Sequence, residues 1–353
     1  MKAVCRHFRA CGGCALQDLA PDIYLQQKRA LIVTALVRQG IFDPPLREIT
    51  PVPPCSRRRA TLKIEKTAGE TRIGFHAARS RELVDIQECH VLTPALFTAA
   101  RGIARMLSPL LREGEDADVY MAEAENGIDI ALLWKRRTTP ELVAAVSAGA
   151  LALNIVRVTS GNDLLFLSAE PFVQFGKAQV KLPAQAFLQP TREGEQILRR
   201  CVIDAVGKAK RAVDLFSGCG TFSLPLAERA RVHAVDADPP MLNALAAAAR
   251  VTSGLKPIAI ERRDLFALPL SAAELKAFDA AVLDPPRAGA LAQAKQLAKS
   301  GIRRIAYVSC DAASFARDAR VLLDGGYRLD WIVGVDQFLW SAHVELAAAF
   351  STK

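Results

Sequence analysis

The chain has no apolar run long enough to cross a bilayer, which takes about 20 residues. Its N-terminus, M-K-A-V-C-R-H-F-R-A-C, is broken by charges where a signal peptide needs an apolar core. A membrane-spanning or secreted protein is therefore set aside, and a cytosolic location without membrane contact is expected. No internal repeat and no long low-complexity segment is visible, so neither a repeat array nor a disordered chain is expected. In a reducing compartment disulfides are rare, and the eight cysteines point instead to metal binding, catalysis or burial.

What is present is apolar and basic. With 353 residues and 51% hydrophobic content, the chain can build two domains or one large domain with an appended module. A formal charge of +9 suggests a polyanionic partner. The bias is uneven: residues 1–90 hold fifteen Lys/Arg against nine Asp/Glu. Their run Arg57, Arg58, Arg59, followed by Lys63 and Lys66, reads by itself as a solvated face.

Cys5, Cys11 and Cys14 follow C-x5-C-G-G-C, and the paired Gly12 and Gly13 let the backbone fold tightly enough for thiolates to converge. Three ligands need a fourth. Cys89 is the best placed, because a hairpin with its turn at Ala68 to Glu70 returns the chain toward the N-terminus; Cys55 competes, and His7 or His90 would serve if the metal were zinc. Zinc ribbons more often carry two short C-x-x-C pairs, so this spacing favours a cubane [4Fe-4S] cluster. The C-x3-C-x2-C spacing of radical enzymes, which leaves one iron open, is absent.

Tyr24 to Gln39 has apolar residues at helical spacing, with Gly40 as a stop, and the proline-rich stretch Asp43 to Pro54 reads as a linker. Beyond it, short β-rich runs alternate with helical pieces such as Pro94 to Leu110, predicting an α+β middle domain with an antiparallel sheet. After Gln189 the texture becomes regularly β and α. Successive strands end at the turn Phe216-Ser217-Gly218-Cys219-Gly220, at Asp236, at Asp264, at Asp284 and at Cys310, and two further strands close the chain. This is a doubly wound, Rossmann-like α/β domain whose strand ends carry its polar sites. The expected organisation is a cluster region at 1–23 and 43–92, an α+β middle domain at 93–185 and the doubly wound domain at 186–353, with helix 24–42 packed on a core.

The turn from Gly218 has glycine at two positions of a dinucleotide fingerprint but Ser223 at the third, which leaves a nicotinamide enzyme open. The order D-L-F-S-G-C-G, Asp236, Asp264 and then Asp284-Pro285-Pro286 instead resembles the S-adenosylmethionine pocket of class I methyltransferases, where the glycines admit the amino-acid part and the second-strand acid binds the ribose. Amine methyltransferases usually follow D-P-P with an aromatic residue; here Arg287 stands there. Cys310 is either a buried structural cysteine or a nucleophile, since a strand end before a helix N-terminus favours a thiolate. A methyl acceptor that needs a thiol is C5 of a pyrimidine, which becomes nucleophilic only after a thiolate adds to C6. A base must then remove the C5 proton, and Glu345 is the nearby acid without a competing cofactor role. A cytosine enzyme is disfavoured, because no P-C follows the fourth strand.

Together these motifs resemble the RNA 5-methyluridine methyltransferases, above all the iron–sulfur members that modify 23S ribosomal RNA. The resemblance covers nearly the whole chain: C-x5-C-G-G-C with Cys89, F-L-Q at 187–189, D-L-F-S-G-C-G, L-D-P-P-R-A-G, Y-V-S-C and H-V-E. It implies Cys5, Cys11, Cys14 and Cys89 as cluster ligands, Cys310 as nucleophile, Glu345 as base and Asp284 on the uracil edge. It also implies that Gln189, Phe216, Gly218, Gly220, Asp236 and Asp264 hold S-adenosylmethionine or the base beside it. The implied substrate is 23S rRNA, or alternatively tRNA, bound by a monomer. The chain begins almost at the cysteine run, without the small N-terminal β-barrel many relatives carry, so RNA affinity is expected from the cluster region and the middle domain. Four departures stand out: Asp311-Ala312 replaces Asn-Pro, Thr191 replaces Asn, Asp236 replaces Glu, and Leu339 replaces Pro. They motivate a second reading, an RNA-binding homologue without turnover. Asp311 adds negative charge beside the thiol and is expected to raise its pKa unless a partner offsets it.

Overall fold

The structure, a computed structural model, describes residues 3–352. Helix α1 (Pro21–Arg38) opens on a proline and buries Tyr24, Lys28, Ile32 and Leu36, a stripe four residues apart that includes a lysine. After β1 (Thr50–Pro51) come β2 (Arg59–Thr67), β3 (Glu70–His76), β4 (Leu83–Asp85), helix α2 (Pro94–Leu107), β5 (Asp116–Glu123), β6 (Ile128–Leu133), α3 (Pro140–Ala150), β7 (Ile155–Ser160) and β8 (Asp163–Leu167). The β2–β3 turn places Ala68 and Gly69 at positive φ, as tight hairpins require.

These strands form one sheet in the order β4-β3-β2-β5-β6-β7-β8. It is antiparallel except where β6 and β7 run parallel, the pair that α3 connects as a crossover. The division expected between residues 92 and 93 therefore does not divide the fold: β2 pairs with β3 on one side and β5 on the other, and Leu62, Ile64 and Ile73 share a core with Leu96 and Ile103 of α2.

A hairpin, β9 (Phe172–Phe175) and β10 (Ala178–Lys181), leads into the C-terminal unit: α4 (Arg192–Val206), β11 (Arg211–Leu215), α5 (Ser223–Ala227), β12 (Arg231–Asp236), α6 (Pro239–Val251), β13 (Ile258–Arg262), α7 (Ala272–Leu275), β14 (Ala280–Leu283), α8 (Leu291–Ser300), β15 (Arg304–Ser309), α9 (Ala312–Asp324), β16 (Tyr327–Asp336) and β17 (Glu345–Thr352). Its sheet runs β1-β16-β17-β15-β14-β11-β12-β13. All neighbours are parallel except at β17, which is antiparallel to both β15 and β16. Strand order reverses between β11 and β14, which opens a crevice at their carboxyl ends. Although α1 precedes the first sheet, its Ile32 and Leu36 belong to the core of this second unit with Phe315 of α9 and Ile332 of β16.

The arginine run is not a solvated face. Arg58 is 2% exposed and pairs with buried Glu195 of α4, and its Nε donates to the Gln189 carbonyl at 3.1 Å. Arg59 Nε donates to the Leu188 carbonyl at 2.8 Å, and its guanidinium lies 4.4 Å from the Phe187 ring centre. Residues 187–190 cross between the two sheets without strand partners, so their carbonyls need donors from elsewhere, and the arginines supply them.

Candidate active site

The residues singled out from the sequence meet at the crevice. Gln189, Phe216, Gly218, Asp236, Asp264, Asp284, Cys310 and Glu345 all line one cavity of ≈ 830 Å³. Gly220 stands just behind its wall at φ 99°, where a Cβ would meet Leu245 at 2.6 Å. The turn after β11 is held by the acid of β12: Gly218 N–H donates to one Asp236 oxygen at 2.8 Å and Asp238 N–H to the other at 2.9 Å. Each oxygen keeps a free lone pair for a further donor. Phe216 sits at φ 67°, a costly conformation for an aromatic residue, and its ring packs 5.5 Å from that of Phe266. Asp264 accepts the Phe266 N–H at 2.9 Å and stays exposed.

On the other side of the crevice a chain of hydrogen bonds joins two carboxyls. Gln189 Nε2 donates to Asp284 Oδ2 at 3.0 Å, while Gln337 Nε2 donates to Gln189 Oε1 at 2.9 Å and to Glu345 Oε2 at 2.7 Å. Sequence reasoning missed Gln337. The signal was there: β16 lies parallel to β15, so its polar ending Asp336-Gln337 reaches the same sheet edge as Cys310. The antiparallel β17 brings Glu345 to that edge by starting there.

The site concentrates negative charge inside a basic protein. Burial, and then the Asp284 charge, push Glu345 up to about 8 against the Gln337 hydrogen bond. Burial pushes Asp284 up to about 7 against the Gln189 hydrogen bond. Asp214, buried at the end of β11, also rises to about 7 through burial, opposed by its bond from Ser223. The Cys310 thiol is pushed up to about 11 by burial, then by Glu345 and Asp284, with Arg287 acting the other way. Asp311 does have a partner: its carboxylate accepts the Ser314 N–H at 2.8 Å and caps α9, and the acids that weigh on the thiol, Glu345 and Asp284, stand at the start of β17 and just past β14. Thr191 is likewise a helix cap, accepting the Gly194 N–H of α4 at 2.9 Å. Arg287 lies 2.9 and 3.0 Å from the two ring nitrogens of His343, whose pKa is lowered by burial and by this cation.

The N-terminal cysteines border the same cavity through Gly12, Gly13 and Ala15. Burial raises all four thiols, and the charges of their fellows add to it: Cys89, Cys11 and Cys5 act on Cys14, and Cys11 and Cys5 on Cys89. Gly13 N–H points at Cys11 Sγ and Leu92 N–H at Cys89 Sγ, each at 3.5 Å. Gly12 leaves no room for a side chain, since a Cβ would stand 2.7 Å from the His76 carbonyl. His7 accepts the Gln87 N–H at 2.9 Å, so that nitrogen is engaged. Among the described residues, no group of three or more His, Cys, Asp or Glu side chains is drawn together to hold a metal ion.

Residues 128–353 match the family described as tRNA (uracil-5-)-methyltransferase. The chain belongs to this family. An uncharacterized RNA methyltransferase of Agrobacterium fabrum is 41% identical over 358 residues, covering 98% of this chain and 84% of the relative. The 23S rRNA (uracil(1939)-C(5))-methyltransferase RlmD of Chromohalobacter salexigens is 31% identical over 97% of this chain and 74% of its own length. Among solved structures, the tRNA (uracil-54, C5)-methyltransferase of Pyrococcus abyssi in complex with S-adenosyl-L-homocysteine has a TM-score of 0.74 at 23% identity, covering 96% of this chain and 85% of that one. That likeness extends the methyltransferase fold over both sheets.

A testable consequence concerns the thiol of this methyltransferase. With its pKa raised by burial and then by two carboxylates, Cys310 is expected to react slowly with iodoacetamide at pH 9, and Glu345→Gln is expected to speed that reaction severalfold by removing one negative charge. Peptide mass mapping of the alkylated residue reads both rates.

Proposed function

We propose that the protein methylates C5 of a uridine in RNA with S-adenosylmethionine, through a covalent bond between Cys310 and C6. The observation that carries this reading is the convergence of Cys310, Asp284 and Glu345 on one cavity edge beside the Asp236-held glycine turn. S-adenosylmethionine supplies an electrophilic methyl group on a cationic sulfur, and a cavity lined by Asp236, Asp264, Asp284 and Glu345 suits a positive charge. Asp236 offers its remaining lone pairs to the ribose hydroxyls. Asp284, steadied by Gln189, accepts or shares a proton at the uracil edge.

The Cys310 thiolate adds to C6, and the C5=C6 electron pair moves toward the O4 carbonyl. C5 then takes the methyl group as the carbon–sulfur bond of the donor breaks, its electron pair staying on what becomes a neutral thioether. Glu345 removes the C5 proton, and the electrons of that C–H bond restore C5=C6 while the C6–S bond breaks and the thiolate leaves. Glu345 must be ionised to do this, and Gln337 favours the ionised form.

The 31% identity to RlmD over 97% of the chain supports 23S rRNA as the substrate, with tRNA as the alternative. The reading as an RNA-binding homologue without turnover loses its motive, because Asp311 and Thr191 both serve as helix caps and displace no catalytic group.

For the cysteines, we infer a [4Fe-4S] cluster on Cys5, Cys11, Cys14 and Cys89. A single zinc ion would need sulfurs about 3.8 Å apart, following from Zn–S bonds of ~2.3 Å, whereas a cubane spreads its four ligands over several irons. The charges of Cys89, Cys11 and Cys5 that bear on Cys14, and N–H groups aimed at two of the sulfurs, support a shared group at these cysteines, and the C-x5-C-G-G-C spacing favours the cubane. Its role would be structural, ordering the loop that borders the cavity. Anaerobically purified protein is expected to hold about four irons and four sulfides per chain, both lost in Cys89→Ser; stoichiometric zinc instead would overturn this reading.

Incubation with S-adenosylmethionine and RNA carrying 5-fluorouridine tests the chemistry, since fluorine cannot leave C5 as a proton does. A denaturation-resistant adduct bearing one methyl group is expected, absent in Cys310→Ala, and its RNA fragment identifies the substrate. Protein that binds RNA and cofactor yet never forms the adduct would sink the proposal.

Tritium release from the methylated adduct, in which Cys310 is already bonded to C6, should rise with pH in single turnover and level off above about 8, as Glu345 loses its proton. Gln337→Leu removes a donor to the ionised carboxylate, so the rise is expected at higher pH, with release at pH 7 falling roughly tenfold.

A further inference from the structure

The segment between β16 and β17 carries Gln337 at its start and delivers Glu345 at its end, and side chains from α1, more than 300 positions earlier in the sequence, hold it. Lys28 and Asp336 are both fully buried, with Nζ 2.7 Å from Oδ1. The same ammonium donates to the Phe338 carbonyl at 3.1 Å and to the His343 carbonyl. The ammonium thus makes one ion pair at the end of β16 and two hydrogen bonds, one just inside the segment and one near its far end. Tyr24, one helical turn earlier, donates to the second Asp336 oxygen and accepts the Trp340 N–H at 2.8 Å. Trp340 itself sits at φ 57°, and its carbonyl receives the N–H groups of Ala15 and Leu16 at 2.7 and 3.0 Å.

A dry ion pair is a poor source of stability, because taking both charges out of water costs several kcal/mol and a well-packed apolar pair often serves as well. An apolar pair has no donor for the Phe338 and His343 carbonyls. We infer that Lys28, with Asp336 and Tyr24, is a positioning group for the C5-proton step: it fixes the segment so that Gln337 and Glu345 meet the substrate in register. None of the three lines the cavity, so the effect runs through the backbone they hold. The inference rests on the proposed uridine C5 methylation.

The test is the double variant Lys28→Met/Asp336→Leu, which replaces the ion pair with apolar groups of similar length and leaves no charge unpaired. Thermal unfolding and S-adenosylmethionine binding should stay close to those of the unaltered protein. In single turnover with 5-³H-uridine RNA, formation of the methylated protein–RNA adduct is expected within about threefold of the unaltered rate. Tritium release is expected to fall tenfold to roughly a hundredfold, so that the methylated adduct accumulates. Release at the unaltered rate, or adduct formation and release falling together, would overturn the inference. Should the double variant fail to fold, Tyr24→Phe keeps the ion pair and frees the Trp340 N–H and one Asp336 oxygen; a severalfold slower release with adduct accumulation is expected, and unchanged release overturns the idea. Absence of methyl transfer by the unaltered protein would instead defeat the functional reading, which separates the two failures.

Discussion

The site depends on one antiparallel strand. Had β17 run parallel like its neighbours, its first residue would lie at the far edge of the sheet, away from the crevice. Because it runs the other way between β15 and β16, its first residue is also its residue at the crevice. The ladder with β15 ends at Ser309 opposite Leu346, so one further rung sets Cys310 across from Glu345. The ladder with β16 ends at Val335 opposite Glu345, which puts Gln337 just beyond it on the same edge. The meeting of Cys310, Glu345 and the Gln337 amide thus follows from strand direction and register, and side-chain rotamers only refine the arrangement.

That geometry carries an electrostatic cost that the surrounding residues contain. Asp214, Asp284 and Glu345 all sit where burial favours their protonated forms, and their charges repel one another. Gln189 and Gln337 each set an amide donor on one of the two carboxylates, Asp284 and Glu345, which favours their ionised forms against that burial. A cationic ligand in the cavity acts in the same direction. The thiol remains the hardest group to ionise, and Arg287, which opposes the effect of the acids, stands on the loop that follows Asp284.

Much of this was legible from strand ends. Asp236, Asp264, Asp284 and Cys310 each close an apolar run, and the doubly wound order makes such residues neighbours whatever their separation in sequence. The hairpin at residues 68–69 and the buried stripe of α1 followed from turn chemistry and period. The partners of buried polar side chains were not legible. Arg58 reads as surface charge until Glu195 and the Gln189 carbonyl, 131 and more residues away, are seen to need it. Lys28 looks like an interruption of an apolar face until the carbonyls of Phe338 and His343 appear beside it. A domain boundary at residue 92 failed for a related reason: β2 reads as the start of a hairpin, and nothing local announces that β5 will pair along its other edge.

The cysteine region is for the same reason better regarded as part of the active-site wall than as an attached module. Gly12, Gly13 and Ala15 face the cavity that holds Cys310, and the next N–H groups along the loop close on the Trp340 carbonyl. Trp340 is in turn bound to Tyr24, and Tyr24 to Asp336, the residue before Gln337. An unbroken series of hydrogen bonds therefore links the loop that carries Cys14 to the segment that presents the base. The placement of that loop and of the segment that ends at Glu345 therefore rests on the same hydrogen bonds, and a change at either end meets the other through Trp340 and Tyr24.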